Sequence, residues 1–110
     1  MDCKYSYKFT EKAEKDLNDV LRYISEDLSN PQAATEFGKK VFERIDNIRS
    51  FPLSGALVEN YFLSNKNIRR IVIDNYLLYY TENESQQTIY IVRIVYGRRN
   101  LEEIYRTIKY

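Results

Sequence analysis

Histidine and tryptophan are absent from the 110 residues, and cysteine occurs once, as Cys3. Without imidazole, every mechanism that uses histidine as acid, base or metal ligand is excluded. One cysteine can neither close an internal disulfide nor build a zinc site. Its place near the terminus makes it incidental rather than catalytic. Gly38 and Gly55 stand isolated, so there is no phosphate loop and no dinucleotide fingerprint. Serine has no histidine partner and no Ser-x-x-Lys spacing. No apolar run approaches the roughly 20 residues that span a bilayer. Met1-Asp2-Cys3-Lys4-Tyr5 lacks the apolar core of an export signal, so the expected compartment is a reducing cytoplasm with no membrane partner. The length suits one domain over residues 1–110.

Tyrosine, by contrast, is abundant at 11 residues, and charge is unevenly placed. Residues 1–65 hold nine Lys and Arg against eleven Asp and Glu. Residues 66–110 hold eight against five, and six of those eight are Arg69, Arg70, Arg93, Arg98, Arg99 and Arg106. An arginine-rich second half points toward an anionic partner.

Periodicity orders the elements. Tyr5, Tyr7 and Phe9 alternate with Lys4, Ser6 and Lys8, as in a strand with one buried face. Thr10 suits an N-cap, and Ala13, Leu17, Val20, Leu21, Ile24 and Leu28 recur at three and four residues, one stripe on a helix of about five turns. Asn30-Pro31 starts a second helix with the stripe Ala34, Phe37, Val41, Ile45 and Ile48, stopped at Phe51-Pro52. Residues 53–65 have no period and read as a loop with apolar anchors. Three β-rich runs follow, Ile68 to Ile73, Tyr76 to Thr81 and Thr88 to Tyr96, then a short helix from Leu101 to Ile108. The predicted fold is α+β, in the order β-α-α-β-β-β-α. An antiparallel helical hairpin packs on one face of a twisted, mainly antiparallel four-stranded sheet.

The hairpin covers one face only, yet the strands are apolar at nearly every position. A partner, a ligand or the last helix must therefore occupy the other. Arg69 and Arg70, adjacent in a strand, point to opposite faces, and parity does not say which is which. Arg93 lies inside an apolar run, where a charge must be paired or solvated. A cleft bearing Arg70, Arg99, Tyr76 or Tyr79 and Tyr105 would fit single-stranded RNA, with guanidinium forks for phosphate and tyrosine faces for bases. Beside this stands a plainer reading, in which the arginines make solvated ion pairs with Glu102 and Glu103 and the tyrosines are strand core.

The chain resembles the RelE/ParE superfamily of toxins from bacterial type II toxin–antitoxin pairs. Phe9 to Leu17 (Phe-Thr-Glu-Lys-Ala-Glu-Lys-Asp-Leu), Tyr23-Ile24, Asn30-Pro31 with Ala33-Ala34, and Phe51-Pro52 carry the resemblance first. Arg69 to Tyr76, Tyr79-Tyr80, Ile94 to Asn100 and Glu103-Ile104-Tyr105 complete it in order. The hairpin half is similar to ParE-like and plasmid-stabilisation proteins, and the C-terminal Gly-Arg-Arg to Glu-Ile-Tyr segment to the RelE pattern. The resemblance implies a small cognate antitoxin. It assigns an arginine role in cleavage to Arg99, a tyrosine role to Tyr105 and a basic strand position to Arg70. Arg69, Arg93, Arg98, Lys66 and Tyr79 are the candidate nucleic-acid contacts around them. The arginine that RelE-like members carry just after the strand-opening tyrosine falls on Leu77, and their second strand lysine near Ile68.

The first expectation is a ribosome-dependent mRNA endoribonuclease that needs no metal or cofactor. The RNA 2′-hydroxyl attacks the adjacent phosphate, and Arg99 and Arg70 stabilise the phosphorane charge. Tyr105 stacks on a base or relays a proton. The alternative is a ParE-like inhibitor of DNA gyrase without nuclease activity. A third reading is an inactive member kept as an antitoxin-binding module.

Overall fold

A computed structural model describes residues 4–110, and Cys3 lies outside them. Five strands and three α-helices follow one another in the chain: β1 (Ser6–Phe9), α1 (Glu11–Arg22), α2 (Pro31–Ser50), β2 (Ala56–Leu57), β3 (Ile68–Ile73), β4 (Tyr76–Asn83), β5 (Thr88–Tyr96) and α3 (Leu101–Thr107). The sheet order is β1-β5-β4-β3-β2. β1 runs parallel to β5, and the other neighbours are antiparallel. The expected α+β architecture is present. The sheet has one strand more than expected, because residues 56 and 57 of the presumed loop pair with Arg70 and Arg69.

The helices begin where their caps dictate. Thr10 Oγ1 accepts the Ala13 N–H at 3.1 Å, and Asn30 Oδ1 accepts the Ala33 N–H at 3.1 Å with Pro31 at the first helical position. All five stripe residues of α2, Ala34, Phe37, Val41, Ile45 and Ile48, are buried. The α1 stripe departs from expectation at its end. The chain widens into a π-helical turn over Tyr23–Asp27, closed by the Leu28 N–H on Tyr23 O at 3.0 Å. The extra residue in that turn rotates Leu28 out of the stripe, leaving it 54% exposed. The expected buried face of β1 is only partly buried. Tyr5 and Phe9 pack on the core, whereas Tyr7 sits at the sheet edge against Phe42.

Two cores flank the sheet. On one face Ile71, Ile73, Leu78, Tyr80, Ile89, Ile91 and Ile94 meet the hairpin residues Ala13, Leu17, Phe37, Val41, Ile45 and Ile48. Burying each of the larger aliphatic side chains stabilises the fold by about 1.5–3 kcal/mol. On the other face Leu77, Tyr79, Val92 and Val95 meet Ile104, Tyr105 and Ile108 of the C-terminal segment and Val58 and Leu63 of the 58–67 loop. Of the three occupants expected for this second face, the chain supplies its own last helix.

Candidate functional site

The eight sequence-predicted site residues do not form one cluster. Arg70 projects from β3 to the α3 face. Its Nη1 donates to Tyr105 Oη at 3.5 Å, and the Tyr79 and Tyr105 hydroxyls are 3.1 Å apart and buried. The two rings meet edge to face, with centroids 5.5 Å apart. Hydrogen bonding to Tyr79 pushes the Arg70 guanidinium further toward its charged form, against the effect of its partial burial. Burial, then the hydrogen bond with Tyr105, push the Tyr79 phenol well above the usual tyrosine range. This trio can hold an anion with a fixed positive charge. It has no group disposed to remove a proton, since burial holds Tyr79 protonated and an arginine keeps its own proton.

The other arginines are elsewhere. Arg69 turns to the hairpin side, as adjacency to Arg70 requires, and its Nη1 donates to Leu53 O at 3.2 Å and Gly55 O at 2.9 Å. Arg93, expected to touch nucleic acid, is 4% exposed and committed to the protein's own groups. It stands at a bulge in β5, where Tyr79 and Tyr80 of β4 pair with Arg93 and Ile91 and the register skips Val92. Its Nε and Nη2 grip Asp16 of α1 at 2.7 and 3.1 Å, and its Nη1 donates to Thr107 Oγ1 at 2.7 Å. The bulge frees the Ile94 N–H, and Asp16 accepts that too, at 3.0 Å. Arg93 is thus a buried tie between α1, β5 and α3, and the expectation of a nucleic-acid contact is withdrawn on that ground. Lys66 donates to Asn60 O at 3.2 Å within its loop. Arg98 and Arg99 are exposed after β5 and make no side-chain hydrogen bond or ion pair among the described residues.

Arg99 lines a cleft of about 720 Å³ on the hairpin side. Val20, Ile24 and Phe37 of the hairpin and Ile94 of β5 give it apolar walls, and Tyr23, Tyr76 and Tyr96 give it aromatic ones. The expected group of Arg70, Arg99, Tyr105 and a strand tyrosine is therefore divided. Arg70, Tyr79 and Tyr105 lie under α3, whereas Arg99 and Tyr76 belong to the cleft. Three carboxylates also line it, and each has a cation: Asp16 holds Arg93, Asp19 holds Lys15 at 2.7 Å and Asp74 holds Lys40 at 3.0 Å. The Lys15 hydrogen bond keeps the Asp19 carboxyl below its usual range. Among the described residues, Arg99 is left as the unpaired charge of the cleft. Sequence reasoning missed Tyr23 and Tyr96 as lining residues. The available signal was an aromatic residue just off the α1 stripe and another just before Gly97.

A model of the ParE toxin family of type II toxin–antitoxin systems matches residues 7–101. No curated protein matches the chain significantly by sequence. Among solved structures, the toxin fold is similar to the chromosomal ParDE system of Pseudomonas aeruginosa, with 19% identity and a TM-score of 0.66 over 84% of this chain and 96% of that one. It is similar also to the toxin–antitoxin complex RelBE2 of Mycobacterium tuberculosis, with 18% identity and a TM-score of 0.59 over 84% and 98%. The archaeal RelE–RelB complex of Pyrococcus horikoshii gives 16% identity and a TM-score of 0.58 over 87% and 98%. At these identities the structural likeness speaks for the fold. The family match, over most of the chain from within β1 to the start of α3, shows that this protein belongs to the ParE toxins of the RelE/ParE superfamily.

Proposed function

We propose that the protein arrests growth as a ParE-like toxin, by binding DNA gyrase and inhibiting it without cutting RNA, and that a cognate antitoxin neutralises it. The observation that carries this reading is the separation of Arg99 from Arg70 and Tyr105. Phosphodiester cleavage needs positive charge and a proton acceptor around one phosphate. Here Arg99 and Arg70 lie on opposite sides of the sheet, Arg69 and Arg93 are committed to the protein's own groups, and Leu77 stands where the RelE pattern has an arginine. The family match supports the same choice.

The hairpin-side cleft suits the antitoxin. Its apolar and aromatic walls fit the anchor residues of an amphipathic segment, and its unpaired charge, Arg99, fits a carboxylate. A flexible acidic chain ordering onto this surface offsets its entropy loss by apolar burial and arginine pairing.

Two assays on the purified toxin separate the mechanisms. Inhibition of gyrase supercoiling, together with intact mRNA in a translation extract, is expected. Codon-dependent mRNA cutting with normal supercoiling at toxin excess overturns the gyrase reading and restores the nuclease.

A further inference from the structure

The connection from α1 to α2 carries two local costs. Tyr23–Asp27 is π-helical, a rare geometry found mostly as single turns inside α-helices. Ser29 follows with a φ of 51°, a left-handed conformation that a serine adopts under strain. Neither is imposed by composition, since no proline or glycine lies between Tyr23 and Leu28. An unbroken α-helix would set Leu28 four residues after Ile24, on the buried stripe. The π-turn forgoes that burial, yet it is held firmly. The Leu28 N–H bonds Tyr23 O at 3.0 Å, the Ser29 N–H bonds Glu26 O at 3.2 Å, and the Asn30 N–H bonds Ile24 O at 3.1 Å. What the departure yields is a cleft wall. Leu28 and Tyr23, 54% and 47% exposed, line the same cavity as Arg99. Tyr23 there joins an aromatic row, in which the Tyr76 ring meets Phe37 and Tyr96 with centroids 5.1 and 5.6 Å away. Backbone strain held in place beside a cleft points to a role in that cleft.

We propose that the π-helical turn is the specificity-determining element of the cleft. It holds Leu28 and Tyr23 out as the apolar pair that seats a side chain of the antitoxin, while Arg99 takes a carboxylate of the same segment. The inference rests on the reading above that the antitoxin occupies the cleft, and it names the residues that select it. Charge speaks against a second copy of the chain as the occupant. Cyclic dimers, the commonest assemblies, put the same patch on both subunits. Cleft against cleft would set one Arg99 beside the other, with Asp16, Asp19 and Asp74 already paired to cations of their own chain. A separate chain that brings its own acid fits the pattern. Side chains fixed by a hydrogen-bonded turn also lower the ordering cost of binding, and a few such anchors carry most of an interface's affinity.

The test uses the full chain. Removal of Ser25 takes the extra residue out of the turn and sets Leu28 three residues after Ile24, back on the stripe. Should that variant not fold, Leu28→Ser and Tyr23→Ser keep the length of the turn and delete the two side chains, both of them exposed. Arg99→Ala reports on the cleft away from the turn. Thermal melting verifies the fold, titration with the cognate antitoxin measures affinity, and light scattering measures the oligomeric state. Expected are a rise of about tenfold in antitoxin Kd for each turn variant, unchanged melting of the two substituted chains, and weaker rescue of growth by co-expressed antitoxin. Antitoxin affinity unchanged within about twofold in Leu28→Ser, or in a folded chain without Ser25, overturns the inference. If Arg99→Ala weakens antitoxin binding in that case, the reading of the cleft stands without it. If Arg99→Ala has no effect either, both fall. Loss of growth arrest with antitoxin affinity unchanged assigns the turn to the target and overturns the inference. A change confined to self-association overturns it in favour of a second copy of the chain.

Discussion

Gly55 offers a sharp test of how the 51–58 segment is held, because two effects of opposite sign meet there. Gly55 does not occupy the left-handed region of the backbone, so alanine can adopt its conformation. On chain entropy alone, Gly55→Ala should stabilise the protein by about 0.4–1 kcal/mol. The packing argues the reverse. A methyl group built on Gly55 would lie 2.7 Å from Tyr80 Oη, 2.8 Å from Tyr80 Cε1 and 3.1 Å from the Arg70 carbonyl oxygen. Tyr80 cannot swing aside cheaply, since its ring is fully buried in the hairpin-side core and its hydroxyl bonds Pro52 O and the Gly55 N–H. Overpacking costs about 1–3 kcal/mol, and each hydrogen bond broken in relieving it costs about 0.5–1.5 kcal/mol. The net expectation is a destabilisation of about 2–4 kcal/mol. Urea unfolding, followed by circular dichroism, reads this as a lower midpoint with an unchanged slope. The cause is isolated by a double-mutant cycle with Tyr80→Phe. Removing the hydroxyl removes the nearest clash, so Gly55→Ala should cost clearly less in the Tyr80→Phe background than in the wild type. A neutral or stabilising Gly55→Ala in the wild-type background would refute the claim that Tyr80 clamps this segment.

Asp16→Asn should cost about 3–5 kcal/mol, measured as a fall in unfolding free energy, because it leaves the Arg93 guanidinium buried without its counter-charge. A double change of Asp16 and Arg93 to apolar residues of similar volume should recover most of that loss, and failure to recover would mean that the pair is not the cause. Alkaline stability should follow the buried phenols. Burial raises the folded pKa of Tyr79 and Tyr80 above an unfolded value of about 10, so their contribution is complete below about pH 10 and is lost as pH rises through the folded values. Tyr79→Phe should therefore make the decline in the urea midpoint between about pH 9 and pH 11 shallower than in the wild type. An identical decline would remove Tyr79 as a contributor.

Element identity was legible because burial of one face leaves a period in the chain. The α2 stripe from Ala34 to Ile48 is buried throughout, and β3 and β5 have the bounds that their apolar runs suggest. Caps were legible for the same local reason, since Thr10 and Asn30 act on backbone groups three residues away. What pattern could not disclose is which element lies beside which. Asp16 and Arg93 are 77 residues apart, and no periodicity joins them. Their meeting depends on a bulge that skips Val92 and on β1 ending at Phe9, so that α1 crosses the end of its pairing with β5. The π-helical turn was hidden because an extra residue per turn leaves no compositional mark, although it decides that Leu28 faces out. β2 was hidden because two residues carry no period at all.

The same distinction explains why the candidate site divided. Arginine count and tyrosine count are properties of composition, whereas convergence is a property of topology. Gly97 and the following turn carry Arg99 to the hairpin side, while strand parity carries Arg70 to the α3 side, so residues that read as one basic group serve two surfaces. A guanidinium is recruited for catalysis only if its field adds to others at a single atom, and it is recruited for recognition wherever it remains unpaired beside an apolar wall. By that criterion Arg93 is structural, Arg69 is a clamp on the 51–58 segment, and Arg70 is a cation beside two phenols without a base. Arg99 is the residue whose charge remains available beside an apolar wall. On the gyrase reading proposed above, a toxin built this way acts by occupying a protein surface, and its control follows from an antitoxin that reaches Arg99 while burying the cleft beside it.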